Sequence, residues 1–167
     1  MRIDVSEGSI LEADTDCIVN AGNSGGYMGG GVAAVIKRVA GREVEDEAIT
    51  NAPIPIGEAV LTNAGKTRFK GIIHVPTMKL PGMRSSVENV AQGTRAALHL
   101  AEKSGFKSMA IPGLGTGVGC VEKEDAARAM IQVIKGFKAC TLKKVVLIDI
   151  DTGMVEAWKT MLQNYAW

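Results

Sequence analysis

Apolar residues recur along this chain with two different periods, and the switches between them order its elements. Arg2 to Val5 alternates polar and apolar positions, the period of a half-buried strand, and Glu7-Gly8 turns the chain. Ser9 to Asp14 reads as a connection. Asp16 to Val19 is a second strand, which feeds Asn20 and Asn23, then a glycine-rich loop. Beyond Gly31 the spacing becomes helical, with Val32, Val35, Ile36 and Val39 on one face, and Gly41 suits the C-terminal cap. Glu43 to Asn51 predicts a short helix. Asn51-Ala-Pro-Ile-Pro ends it, because proline lacks the amide hydrogen and disfavours helix in the residue before it.

Gly57 to Thr62 predicts a strand, Gly65-Lys66 a turn, and Gly71 to Pro76 a strand whose isoleucine and valine run implies burial on both faces. His74 lies inside that run with no partner legible, so it reads as structural and stays outside the site. Met78 to Met83 is a loop. Ser85 to Lys103 then shows helical spacing in Val87, Val90, Ala91, Thr94, Ala97, Leu98 and Ala101, with Ser85 or Ser86 as cap. Ser85 and Glu88 fit a capping box, and Gly105 marks the far end. Lys107 to Ile111 is a strand, Glu122 to Phe137 a helix, Lys143 to Ile150 a strongly apolar strand, and Thr152 to Tyr165 a closing helix. Strands alternating with helices predict an α/β fold, a three-layer α/β/α sandwich around a mixed sheet.

Composition narrows the partners. The 167 residues suit one domain, and a formal charge of +1 leaves no field that would gather nucleic acid, which is disfavoured as a partner. No apolar run approaches a membrane span and MRIDVSEG has no signal-peptide apolar region, so a cytoplasmic protein is expected. Cys17, Cys120 and Cys140 are odd in number and widely spaced, which predicts neither a disulfide framework nor a metal site. No cofactor is called for. Twenty glycines against 4% aromatics point to ligand loops lined by backbone.

Two such loops stand out. Gly22 to Gly31 and Gly113 to Gly119 each follow a strand and precede a helix. A helix start leaves amides without intrahelical partners and carries the positive end of the dipole, so each loop attracts anions. Two on one sheet edge suit a pyrophosphate. The dinucleotide fingerprint belongs in the first strand-to-helix turn, whereas Gly113, Gly115 and Gly117 come late and Val118 fills the final glycine position. There is also no G-x-x-x-x-G-K-[ST] segment to reach terminal phosphates. Asn20 and Asn23 place neutral amides beside the first cradle, suited to sugar hydroxyls.

Val19-Asn20-Ala21-Gly22-Asn23, Gly29-Gly30-Gly31-Val32-Ala33 and Ile111-Pro112-Gly113-Leu114-Gly115-Thr116-Gly117-Val118-Gly119 resemble, in order, the signature segments of macro domains. The resemblance covers residues 1–167 as a single macro domain and implies a sheet of about six strands that binds ADP-ribose. By it, Gly29, Gly30, Gly31 and Val32 bind one phosphate and the near side of the distal ribose. Gly113, Gly115, Thr116, Gly117, Val118 and Gly119 wrap the other phosphate and close over that ribose. Ala21, Asn20 and Asn23 face the distal ribose, the two asparagines as catalytic candidates. Ser9, the Ile10 amide and Ile150 line the adenine side.

The chain departs from the family pattern at four places. Ser9 stands where an aspartate usually accepts from adenine, and Ala33 where hydrolytic relatives often carry an aspartate. Gly119 and Asp149-Ile150-Asp151 stand where relatives often place aromatics. Asp149 or Asp151 is a candidate replacement for the adenine acceptor. The expected partner is ADP-ribose or an ADP-ribosylated protein, and the sequence specifies no oligomeric state. The implied function is hydrolysis at the distal ribose of an ADP-ribosyl ester or O-acetyl-ADP-ribose type of bond. The alternatives are a reader that binds without chemistry and an RNA-binding macro domain.

Overall fold

A computed structural model describes residues 1–164 and gives each apolar run a place in one sheet. The strands are β1 (Arg2–Glu7), β2 (Cys17–Asn23), β3 (Val60–Thr62), β4 (Gly71–Met78), β5 (Ser108–Ile111) and β6 (Lys144–Asp149). Their order is β1-β6-β5-β2-β4-β3. Every ladder is parallel except β3 with β4, so the sheet is mixed, as the alternation of elements predicts. The helices are α1 (Gly31–Ala40), α2 (Arg42–Thr50), α3 (Val87–Lys103), α4 (Lys123–Gly136) and α5 (Thr152–Asn164), with one 3-10 turn at Ile10–Glu12. The sequence-expected end of α5 at Tyr165 lies outside the described residues.

Successive strand residues point to opposite faces, and both faces are buried. Cys17, Val19, Ile73 and Val75 join Leu98, Met130 and Trp158 in the layer of α3, α4 and α5. Ile18 and Ile72 join Ile36 and Val44 under α1 and α2. Parallel strands covered on both sides carry continuous apolar runs for this reason. Each such isoleucine contributes about 1.5 to 3 kcal/mol on full burial.

The structure corrects several local expectations. β2 continues to Asn23, so both asparagines are strand residues; pairing with β4 carries Asn20 opposite His74 before the register shifts between Gly22 and Asn23. β3 begins at Val60 instead of Gly57. The inward face of α1 is Ala33, Ile36 and Ala40, and Val39 is exposed. Small residues win that face because the chain passes close by: the Lys66 amide donates to the Ala40 carbonyl at 2.9 Å. The cap of α3 is Ser86, whose hydroxyl accepts from the Asn89 amide at 3.1 Å, so the Ser85–Glu88 capping box does not form. Ser85 is committed elsewhere, as described below. Among the described residues no helix is long and apolar enough to cross a membrane.

Candidate functional site

Five parallel strands send their carboxyl ends to one edge of the sheet, and the chain leaves β2 and β5 in opposite directions. From β2 it runs through α1 and α2 to β3 and β4 on one side; from β5 it runs through α4 to β6 on the other. Between those two neighbours lies the switch point where open α/β sheets bind ligands. Both glycine loops emerge there.

The first loop is held open by side chains around it. Asn23 Oδ1 accepts from the amides of Gly25 at 3.1 Å and Tyr27 at 3.3 Å, and its Nδ2 donates to the Tyr27 carbonyl at 3.0 Å. One Nδ2 hydrogen remains. Glu45 of α2 accepts from the Met28 amide at 2.7 Å and pairs with Lys37 of α1 at 3.4 Å, which ties the loop to both helices. Gly26 has φ +78, and a Cβ there would stand 2.8 Å from the Ala48 carbonyl, so glycine is required where the loop crosses α2. Gly29, Gly30 and Gly31 are different. They are exposed, and a Cβ on any of them would meet nothing within 4 Å. Their missing side chains leave space open at the start of α1, where Gly30 caps the helix with no side chain of its own. Val32 is half-buried and Ala33 buried just inside.

The second loop folds on itself. Val121 donates to the Gly115 carbonyl at 2.9 Å, Cys120 to Gly117 at 3.1 Å, and Ser85 donates its amide to the Gly119 carbonyl at 2.9 Å. The Ser85 side chain lies under the loop, 3.2 Å from where a Gly115 Cβ would be. Gly119 is buried, and a Cβ there would stand 2.6 Å from the Gly115 carbonyl oxygen. An aromatic at that position has no room in this loop. Thr116 is half-buried and Gly117 exposed with open space above it, while Val118 is 63% exposed. Gly113 is anchored through its amide to Asp149 Oδ2 at 2.9 Å.

The far end of the edge is built from β1 and β6. Ser9 uses its hydroxyl to cap the 3-10 turn, accepting from the Leu11 amide at 3.2 Å, and Ile10 is buried. Ile150 is 75% exposed, an apolar shelf beyond β6. Neither neighbouring aspartate is free. Asp149 accepts from the Gly113 and Asp151 amides, and Asp151 from the Gly153 amide and the Lys123 ammonium at 2.8 Å. Lys123 and the amides around it hold the Asp151 carboxyl below the usual carboxylate range. Each carboxylate thus serves the loop or helix start beside it.

Asn20 does have a partner, and so does His74. Asn20 Nδ2 and His74 Nδ1 are 3.1 Å apart, and His74 Nε2 lies 2.9 Å from Thr62 Oγ1. Burial lowers the His74 pKa to about 4, so the ring is neutral. Sequence reasoning missed His74, Ser85 and Glu45 because their partners lie 54, 34 and 17 residues away. The β2–β4 pairing alone brings Asn20 and His74 together.

The family model described as Macro domain matches residues 19–130, which include both loops, β5 and the end of β2. The chain belongs to the macro domain family. A relative from Aquifex aeolicus, described only as uncharacterized, is 60% identical and covers 97% of this chain and 98% of its own length. One from Aeropyrum pernix is 42% identical over 74% of this chain and 66% of that protein. A Mycobacterium tuberculosis relative is 37% identical over 98% of this chain, which spans 45% of that longer protein. Among solved structures, the Trypanosoma brucei macrodomain in complex with ADP-ribose aligns with TM-score 0.87 at 24% identity, covering 96% of this chain and 69% of that one. The Oceanobacillus iheyensis macrodomain with MES bound aligns with TM-score 0.85 at 24% identity, covering 95% and 89%. These two share the macro domain fold with this chain.

Proposed function

We propose that this macro domain, residues 1–167, binds ADP-ribose across the switch point, with the diphosphate between the two glycine loops, and hydrolyses a bond at the distal ribose. The observation that carries the binding reading is the open space over Gly29, Gly30, Gly31 and Gly117, next to the start of α1 on one side and the self-closed loop on the other. Backbone amides without intrahelical partners, reachable because no Cβ covers them, suit phosphate oxygens. The ADP-ribose complex of the Trypanosoma brucei macrodomain, on the same fold, supports that ligand.

For the chemical step, the substrates we favour are an ADP-ribosyl ester and O-acetyl-ADP-ribose. Water held between a substrate phosphate and the remaining Nδ2 hydrogen of Asn23 adds to the ester carbonyl. The bond from that carbon to the distal-ribose oxygen breaks, the phosphate passes the water's proton to the departing ribose oxygen, and ADP-ribose and the free acid leave, with orientation into near-attack geometry supplying much of the rate. A second reading, a reader without chemistry, is favoured by one observation. Ala33 is buried in an apolar cluster with Met28 and Ile36, so the first turn of α1 supplies no general base. Incubation with a protein ADP-ribosylated on glutamate separates the two readings. Released ADP-ribose supports the hydrolase, and retention of the label with calorimetric binding of ADP-ribose leaves the reader. Calorimetry with no heat from ADP-ribose removes both. Exposed free thiols at Cys120 and Cys140 suit the reducing cytoplasm in which we place it.

A further inference from the structure

Residues 79–84, Lys79-Leu80-Pro81-Gly82-Met83-Arg84, are all exposed, and they are strung between the two glycine loops. At one end the Met78 carbonyl, where β4 finishes, accepts from the Ser24 amide of the first loop at 3.0 Å; at the other the Ser85 amide donates to the Gly119 carbonyl of the second loop at 2.9 Å. Between these anchors the chain makes a tight turn. Met83 donates its amide to the Leu80 carbonyl at 3.3 Å, with Pro81 and Gly82 at the centre, and Gly82 has φ +83, the left-handed value that the second central position of a type II turn requires. A Cβ on Gly82 would meet nothing within 4 Å, so the tip stands clear of the body. Proline presets one central residue of this finger and glycine permits the other.

The finger displays apolar side chains to solvent. Leu80 is 61% exposed and Met83 44%, and near its base stand Val87 at 45%, opening α3, and Val118 at 63%, next to the Gly119 that Ser85 holds. These are four of the ten exposed large apolar side chains among the described residues, and the bond from Ser85 to Gly119 brings their segments together. A single exposed apolar residue needs no explanation, whereas a group of them marks an interaction surface. Lys79 and Arg84 flank the turn, and neither side chain has an ion-pair or hydrogen-bond partner among the described residues. Two unpaired cations around an aliphatic patch complement a chain that is acidic and partly apolar. No aromatic stands in residues 79–84 or at positions 87 and 118, so nucleic-acid bases find no stacking platform and a polypeptide is the class that fits.

The finger also stands where a chain attached to the ligand has to leave. With the adenine end over β1 and β6 and the diphosphate between the loops that follow β5 and β2, the distal ribose lies towards β2. The next strand in the order is β4, whose end carries the finger. We propose that Lys79 to Arg84 is a docking surface for the polypeptide that carries the ADP-ribosyl group, and that it selects modified side chains flanked by acidic and apolar residues. The inference rests on the ADP-ribose reading above and adds to it a preference among modified proteins, which backbone amides in the glycine loops do not supply.

The test is calorimetric titration of free ADP-ribose and of two short peptides that carry ADP-ribose on a central glutamine amide, a linkage chosen to resist hydrolysis. One peptide has aspartate and leucine flanks, the other lysine and serine. They are titrated into the wild type, Lys79→Glu/Arg84→Glu and Leu80→Ser/Met83→Ser, each first melted to establish folding. In the wild type the acidic conjugate is expected to bind about tenfold tighter than free ADP-ribose and the basic one no tighter, the gain shrinking as salt rises. Charge reversal should invert that preference, and the serine variant should weaken the acidic conjugate about threefold, with free ADP-ribose affinity unchanged in both. Equal wild-type affinity for the two conjugates would overturn the proposal and leave the ADP-ribose site standing. So would a parallel loss of free ADP-ribose in the variants, which would make the finger a nucleotide contact. A wild-type dimer in sedimentation that Leu80→Ser/Met83→Ser dissociates would overturn it as well, by making a second copy the occupant. A wild type that binds ADP-ribose in none of these forms would remove the site itself.

Discussion

Asp149 Oδ2 accepts a hydrogen bond from the Gly113 amide at 2.9 Å, so the end of β6 holds the first residue of the second glycine loop. The same carboxylate takes the Asp151 amide at 2.9 Å. Two backbone donors from different segments thus converge on one side chain. Asp149→Ala leaves the Gly113 amide half-buried without its acceptor. A hydrogen bond to a charged group is worth about 1.5 to 3 kcal/mol, which corresponds to a melting temperature lower by about 5 °C in a chain of this size. Affinity for ADP-ribose falls with it, by about tenfold, because the loop mouth loosens. Asp151→Ala is the control: it removes a cap at the start of α5 and an exposed ion pair with Lys123, costs about 1 kcal/mol, and leaves affinity unchanged. Calorimetry and thermal melts on the two variants check both halves.

Gly30 has φ −151, extended backbone that any residue adopts, and nothing lies within 4 Å of its absent Cβ. Gly30→Glu therefore folds as the wild type does, with a melting temperature within about 2 °C. It sets a carboxylate in the space read as a phosphate site, and close like charges cost several kcal/mol, so ADP-ribose affinity drops by more than about a hundredfold. Retained affinity in a folded Gly30→Glu protein would move the ligand away from the start of α1.

Gly119 behaves in the opposite way. Its Cβ would stand 2.6 Å from the Gly115 carbonyl oxygen and 2.8 Å from the Ser85 Cβ, both parts of a closed turn. Placing an aromatic there, as Gly119→Phe, breaks the Ser85-to-Gly119 hydrogen bond and opens the loop. Stability falls by about 1 to 3 kcal/mol and nucleotide affinity falls too. A gain in affinity from Gly119→Phe, measured by calorimetry, would show that the loop reshapes freely.

Local pattern made most of the fold legible, and long-range pairing hid the rest. The strands of Ile18, Ile73 and Leu147 could be read from their apolar runs, and both loops from glycine spacing between a strand and a helix. The face of α1 could not be read that way: Val39 has the right spacing, but the close passage of Lys66 at Ala40 gives the inward side to alanines. Asn23 reads in the sequence as a ligand residue, and its own turn engages both ends of its amide. A side chain that serves a loop four residues away gives the same sequence signal as one that serves a ligand. His74 looked isolated because Asn20 and Thr62 lie on separate strands, and only the order β2-β4-β3 brings the three together.

The buried neutral state of His74 makes stability depend on pH with a definite sign. Desolvation lowers its pKa from 6.5 to about 4, with Glu47 opposing weakly. Above pH 6.5 neither folded nor unfolded chain protonates the ring, and the group has no effect. Between 6.5 and 4 the unfolded chain takes up a proton that the folded chain refuses, so stability falls as the pH falls. The full difference of about 2.5 pH units corresponds to about 3 kcal/mol, reached below pH 4. Carboxylates contribute over an overlapping range. Glu102, which accepts from the Thr141, Cys140 and Leu142 amides, is lowered to about 2 and loses its stabilising effect as pH drops from 4.5 towards that value. The histidine is isolated by difference. Urea unfolding of the wild type and of His74→Phe, at pH 7.5 and pH 4.5, should show the wild type losing about 2 to 3 kcal/mol more than the variant on acidification. Equal losses would mean that the ring protonates in place.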